Sequence, residues 1–308
     1  MIGISQLLHR VFIQPPRVSH GLQVFGLRIE SPTALRYETL DEAINRHDLE
    51  VTEINEGGSV PTLKLVNKSN SRVFLMAGEQ LIGAKQNRVL NTSMMVDAKT
   101  ETAVPVSCVE QGRWGYRSKA FESHGTSSHS TLRRKMTRSV TESYLACETP
   151  HSDQGEVWDE VHRKLGAMGS KSMSGELEQT YLDTRPRLDA ILNDLPAPEA
   201  CNGAVFVLQG KVAGLDLFDQ TETLTKLWPK LVRGYAIDAL ELPSASATVL
   251  SYADIESWLK NLDGLQPTPF PSPGLGEDVR FNGKDVVGAG LVVDATPVHM
   301  QMFAESRA

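Results

Sequence analysis

Residues 76–114 read MAGEQLIGAKQNRVLNTSMMVDAKTETAVPVSCVEQGRW. Short runs rich in Val, Leu, Met and Thr, divided by small or polar residues, have the signature of β-strands. The ends of those runs carry polar groups that an ordinary sheet has little use for. Glu79, Gln80, Gln86, Asn87, Arg88, Cys108, Glu110, Arg113 and Trp114 crowd into this one block. If the strands pair, these side chains converge at one end of a sheet. Side chains alternate across a strand, so Val104, Val106, Cys108 and Glu110 share a face, as do Val73, Leu75, Ala77 and Glu79. Each apolar face then ends in a carboxylate, and a carboxylate at an apolar rim needs a cationic or donor partner. Arg88 and Arg113 are the nearest candidates in sequence.

Working outward, the first third is β-rich. Strands are expected at 21–29, 49–54, 62–67 and 71–83, and a hairpin joins 86–96 to 102–110 around Asp97-Ala98-Lys99. Successive short strands with turn signals argue an antiparallel sandwich or open barrel. The middle is helical. Leu132, Met136, Val140 and Tyr144 recur every four residues, as do Val157, Val161 and Leu165. A third helix spans Leu177–Leu195, interrupted by Pro186. A fourth spans Leu224–Ala239, kinked or restarted near Pro229. Ala253–Leu262 is a shorter fifth. Strands return at 203–209 and 211–218, and again in the C-terminal run 279–303, where they rejoin or pack beside the second sheet at 203–218. The expected fold is α+β, with an antiparallel β-rich, sandwich-like part at 18–117 followed by a mixed helical and β part at 130–303. A single compact unit covering 1–308 is the expected organisation.

Composition narrows the function classes. The 308 residues carry 38 acids against 31 bases, a net charge of −7. That balance argues against bulk nucleic-acid binding. Cys108, Cys147 and Cys201 are odd in number and far apart, so no disulfide framework is implied. The N-terminus has only a short apolar stretch broken by His9 and Arg10, with no signal-peptide pattern. No stretch approaches the roughly 20 apolar residues of a membrane span. A cytoplasmic protein with reduced thiols is expected.

Charge is distributed unevenly. Between Arg113 and Arg138 stand seven bases, Arg134 among them, and the single acid Glu122. Within that run lies HGTSSHSTL, residues 124–132, read as a polar loop feeding a helix that Ser128 or Ser130 could cap. A flexible loop, arginines and a helix start suit phosphate or pyrophosphate. A solvated basic helix face gives the same pattern. The segment GAMGSKS at 166–172 lacks the Gly-Lys of a phosphate loop, and Gly288-Ala289-Gly290 lacks the third glycine of a dinucleotide fingerprint. His124 and His129 have no dense set of ligands around them, so no metal is expected. His299 fits a structural role.

The runs AGEQLIGAKQNRVLNTSMMV and VPVSCVEQGRW, with the later GYAIDAL and VHMQMF, resemble a bacterial and archaeal family. It is named for its association with genes for ADP-ribosylglycohydrolases and rhodanese-phosphatase proteins. The resemblance covers about residues 10–304. It implies a role near NAD or ADP-ribose metabolism and marks the same nine polar residues, without assigning a catalytic role to any. Two classes of function remain open. In the first, a small anionic nucleotide-like ligand is bound or processed. Glu79 or Glu110 serves as general acid or base, and Cys108 is a candidate nucleophile. Gln80, Gln86, Asn87, Arg88, Arg113, Trp114 and Arg134 bind the ligand, and the loop 119–130 closes over it. In the second, the chain is a non-catalytic binding or scaffold module. Its Glu–Arg pairs lock the sheet end, Cys108 is a small buried hydrophobe and Trp114 is a plug. No cofactor is named by either reading, and a homo-oligomer is compatible with both.

Overall fold

The computed structural model describes residues 11–30, 35–242 and 248–305. The fold is α+β and strand-rich, with helices and antiparallel sheets in two compact units. The first unit comprises residues up to 35, 186–270 and 277 onward; the second comprises 36–185 with 271–276.

The first unit is built on a nine-stranded sheet. Its strands run Phe12–Ile13, Leu22–Arg28, Gly203–Leu208, Lys211–Phe218, Thr296–Ala304, Val286–Val293, Glu277–Asn282 and Thr268–Pro271, and Arg17–Ser19 also pairs with Leu22–Arg28. The C-terminal strands join the 203–218 hairpin through pairs such as Leu215–Met302. Strand Leu22–Arg28 pairs with Gly203–Leu208, so its partner lies far downstream in the chain. One face of this sheet is aliphatic, carrying Val205, Leu215, Met300 and Met302 against Ile255 and Leu259 of helix Tyr252–Lys260. On the other face helix Thr221–Glu241 stacks Tyr235 on Phe206 at 3.9 Å. There the Tyr235 hydroxyl donates to buried Asp216 at 3.0 Å, and His299 lies 3.2 Å from the same carboxylate.

The second unit is a curled half-barrel. Six strands run in the order Phe121–Ser127, Glu79–Gly83, Arg88–Leu90, Glu101–Cys108, Thr62–Asn67 and Leu49–Glu53. An isolated bridge between Thr52 and Ala120 draws the two edge strands together. Leu63, Leu65, Leu81, Leu90, Val104 and Val106 fill its interior, with Leu40 and Ala43 of helix Leu40–Asn45. A three-stranded sheet, Met94–Val96, Arg72–Leu75 and Tyr37–Thr39, holds a parallel pair between its last two strands.

Two strand assignments change. The run 71–83 is two strands in two different sheets, because the chain breaks at Gly78, whose φ is +88°. A side chain is doubly excluded there: its Cβ would lie 2.8 Å from Arg133 Cγ. The 86–110 hairpin exists only where Arg88 pairs with Cys108 and Leu90 with Val106. Met94–Val96 instead crosses to Arg72–Leu75. The prolines do not divide their helices, since Glu178–Asp194 runs through Pro186 and Thr221–Glu241 through Pro229. The carbonyls each ring frees, at Leu182 and Thr225, belong to exposed residues, so solvation offsets the lost bond.

Candidate functional site

The strand register of the half-barrel sorts the polar residues. Leu81 and Cys108 both lie opposite Arg88, and Leu90 lies opposite Val106. These side chains face the barrel interior, so Arg88 and Cys108 sit at one end of an aliphatic core. Gln80 lies opposite Val89 on the other face, fully buried. Neither atom of its amide finds a hydrogen-bond partner among the described residues. Glu79 is fixed in the turn that ends the preceding strand, where its carboxylate accepts from Met76 N at 2.7 Å. Arg134 stands on a different element, partly buried on helix Ser130–Cys147. The residues named from sequence therefore do not form one cluster.

Glu110, Arg113 and Asn87 form a closed lock. Arg113 Nε donates to Glu110 Oε1 at 2.8 Å and Nη2 to Oε2 at 2.6 Å. Its Nη1 donates to the carbonyls of Ala84 and Gly115, and Nη2 also reaches Gly83 O and Asn87 Oδ1. Every donor of this guanidinium is engaged by the protein. Glu110 further accepts from Asn87 N at 2.9 Å. Burial alone would raise the Glu110 pKa, but hydrogen bonds from Arg113, Asn87 N–H and Ser174 outweigh it and hold the carboxyl below its ordinary range. The lock reaches one more segment: Gly112 N donates to Ser174 O, Leu177 N to Val109 O and Asn87 Nδ2 to Glu176. That segment lines an open groove of about 600 Å³, together with Gln111, His162 and Lys171.

Arg88 is held differently. Its Nη1 donates to Gln86 O and Oε1, both at 3.2 Å, and to Cys108 Sγ at 2.9 Å. The thiol in turn donates to Gln86 Oε1 at 2.6 Å. Burial pushes the Cys108 pKa up to about 11 against the opposing effect of Arg88, so at neutral pH the group is a thiol. Arg88 is fully buried, yet its Nε and Nη2 make no hydrogen bond to any described residue. The nearest carboxylate, Glu53, lies 3.7 Å from Nη2. Trp114 lies against the guanidinium, with its ring centre 5.9 Å from Arg88 Cζ, and is half exposed. Lys85 Nζ stands 5.2 Å from the same ring and 5.1 Å from that of Tyr116, and is anchored by Gly57 O at 2.9 Å.

Three bases of the basic stretch pair with acids from outside it. Arg113 pairs with Glu110, Arg117 with Glu176 at 3.6 Å and Lys135 with Glu160 at 2.9 Å. Its expected closing loop is instead strand Phe121–Ser127, paired with Glu79–Gly83. His129, not Ser128 or Ser130, caps the helix that follows, accepting from Leu132 N. Glu53, Lys85 and Glu176 were not legible as site members. Glu53 ends the alternating run LEVTE on its buried face, and that period-two position was the one available signal.

A curled antiparallel half-barrel with a buried arginine at one end and a carboxylate–guanidinium lock beside it defines a strand-rich α+β fold. The chain belongs to the ARG and Rhodanese-Phosphatase-superfamily-associated Protein domain family, which matches residues 10–303. No curated protein and no solved structure matches it. No helix among the described residues is long and apolar enough to cross a membrane.

Proposed function

We propose that this protein binds a small anionic nucleotide-like ligand within NAD- or ADP-ribose-related metabolism, with Arg88 as its anion receptor and Trp114 as its stacking surface. One observation carries the reading. The Nε–Nη2 edge of Arg88, the edge that grips a carboxylate or phosphate with two parallel bonds, is buried and has no hydrogen bond to a described residue. Burying such donors without acceptors costs about 1–3 kcal/mol, a cost that an incoming anion relieves. The aromatic ring against it is half exposed and offers a face to a base. The family's association with genes of ADP-ribose chemistry points to the same ligand class. The three free cysteines fit a reducing compartment, and we place the role in the cytoplasm.

Calorimetry with AMP, ADP-ribose and NAD tests it. Heat is expected with at least one of the three and is lost in Arg88→Ala that still folds by circular dichroism. Silence with all three at millimolar concentration overturns it.

The second reading, a non-catalytic module with a structural lock, is favoured by the saturation of Arg113. The two readings divide the residues between them. Glu110, Arg113 and Cys108 hold the sheet end, while Arg88 and Trp114 face the ligand. Accordingly Glu110→Gln lowers the melting temperature and leaves ligand affinity unchanged, whereas Trp114→Ala does the reverse.

A further inference from the structure

The surroundings of the Arg88 edge say which anion it suits. Glu53 Oε1 accepts from Lys85 N at 3.4 Å, but Glu53 Oε2 is buried and has no hydrogen-bond partner among the described residues. The Glu53 side chain is 2% exposed and that of Arg88 is 0% exposed. Two donors and one acceptor, all buried, thus stand side by side with their hydrogen bonding unfilled. The turn at Gly58 and the ring of Trp114 close over them. A Cβ on Gly58 would lie 3.2 Å from Trp114 Cζ2 and 3.4 Å from Glu53 Oε2. Trp114 makes no hydrogen bond to a described residue, and its ring lies against Arg88 and Lys85. Exposing the edge requires the indole to swing outward, away from its ring contacts with Arg88 and Lys85.

Arg113 supplies the contrast. There the same Nε–Nη2 edge is closed by both oxygens of Glu110, at 2.8 and 2.6 Å. At Arg88 the local carboxylate stands back at 3.7 Å and contacts only one end of the edge. The groups around that edge also have a definite charge. Arg88 and Lys85 contribute two positive charges, Glu53 one negative, and the Cys108 thiol none. A monoanion balances it, whereas a dianion would face Glu53 unprotonated.

We infer that the buried Arg88–Glu53 pair beneath Trp114 receives, when the indole moves aside, a singly protonated phosphomonoester, with two of its oxygens on Arg88 Nε and Nη2 and its P–OH donating to Glu53 Oε2. This rests on the ligand-binding reading above and sharpens it. A pyrophosphate diester such as that of ADP-ribose has no proton to give Glu53. A phosphomonoester does, since its second pKa lies near 6.

Titration of the intact protein with AMP and with ADP-ribose, at pH 7.5 and at pH 5.5, separates the possibilities. AMP is expected to bind more tightly than ADP-ribose and to gain roughly 20-fold in affinity at the lower pH, following the protonated fraction of a group with a second pKa of about 6. Glu53→Gln places an amide where the carboxylate stood, and an amide can donate to the dianion. In that variant the pH dependence of AMP binding is expected to flatten, with binding at pH 7.5 strengthened. Tighter binding of ADP-ribose, or AMP binding that is independent of pH in the parent protein, overturns the phosphomonoester assignment while leaving Arg88 as an anion receptor. Failure of both ligands overturns the two together.

Discussion

At the scale of single residues, the half-barrel contains two arginines in opposite states. Arg113 is saturated by the groups it holds in place. Arg88 is buried deeper and left with its best edge open. Sequence alone could not separate them, because both are followed by an aromatic or aliphatic residue and both lie within reach of a glutamate. What separates them is which carboxylate lies in register. Glu110 is three residues from Arg113 and meets it bidentately, while Glu53 comes from the far edge strand of the sheet and stops short of Arg88. Removing one partner of a buried pair leaves the other charge uncompensated, at a cost of about 3–5 kcal/mol. Arg113→Ala is therefore expected to lower stability by about 3 kcal/mol in urea unfolding at pH 7. The Glu110 carboxyl, held below its ordinary range when folded, contributes stability that is fully present above the unfolded-state pKa of about 4.3. That contribution is lost as pH falls through the folded value. The stability gap between the parent and Glu110→Gln should therefore be large at pH 7 and shrink at pH 3. A gap that is constant across that range would remove the lock from the acid response.

At the scale of elements, the hydrophobic periods located every helix of the middle region and the longer strands of the nine- and six-stranded sheets, but not Phe121–Ser127, Arg17–Ser19, Tyr37–Thr39 or Thr268–Pro271. The pairing partners were less accessible. The residues 21–29 read correctly as a strand, but nothing local reveals that their partner lies at 203–208, because backbone pairing leaves no mark in either segment alone. The break at residues 76–78 was hidden for a related reason. The run SRVFLMAGEQLIG is apolar enough to be one strand, and only the left-handed conformation at Gly78 divides it. That division moves Glu79 off the face it would have shared with Val73 and Leu75, which dissolves one of the two carboxylate-ended faces read from sequence. The other face, carrying Val104, Val106 and Cys108, survived because Glu101–Cys108 is unbroken. Gly78 is thus a testable element boundary. Gly78→Ala forces a side chain into a left-handed position and against the Arg133 stem, and should destabilise by about 2 kcal/mol or more. Gly115→Ala, whose Cβ meets nothing within 4 Å, should stay within about 0.5 kcal/mol of the parent. Thermal melts of the two variants side by side test the assignment, and equal melting temperatures would contradict it.

At the scale of the whole molecule, the uneven charge that first suggested an anionic ligand turns out to have, in part, an internal explanation. Arg113, Arg117 and Lys135 of the clustered bases are met by Glu110, Glu176 and Glu160 in space, and the ligand reading rests instead on one unfilled guanidinium edge. The thiols report on both compact units at once. Cys108 lies in the half-barrel and Cys201 beside the nine-stranded sheet. Burial pushes each to about 11, the guanidiniums of Arg88 and Arg28 respectively opposing it. Cys147, near the end of helix Ser130–Cys147, is exposed, and hydrogen bonds from Thr149 and Ser143 hold its thiol below the ordinary range. Thiolate fraction and access both set the alkylation rate, and here they point the same way. Iodoacetamide at pH 7.4 should modify one cysteine of the native protein, at Cys147, and all three only after unfolding in guanidinium. Rapid native labelling at Cys108 would mean that the arginine end of the half-barrel opens to solvent without ligand. The closed arrangement beneath Trp114 would then be one of two states of the site, and the site's measured ligand affinity would include the cost of closing it.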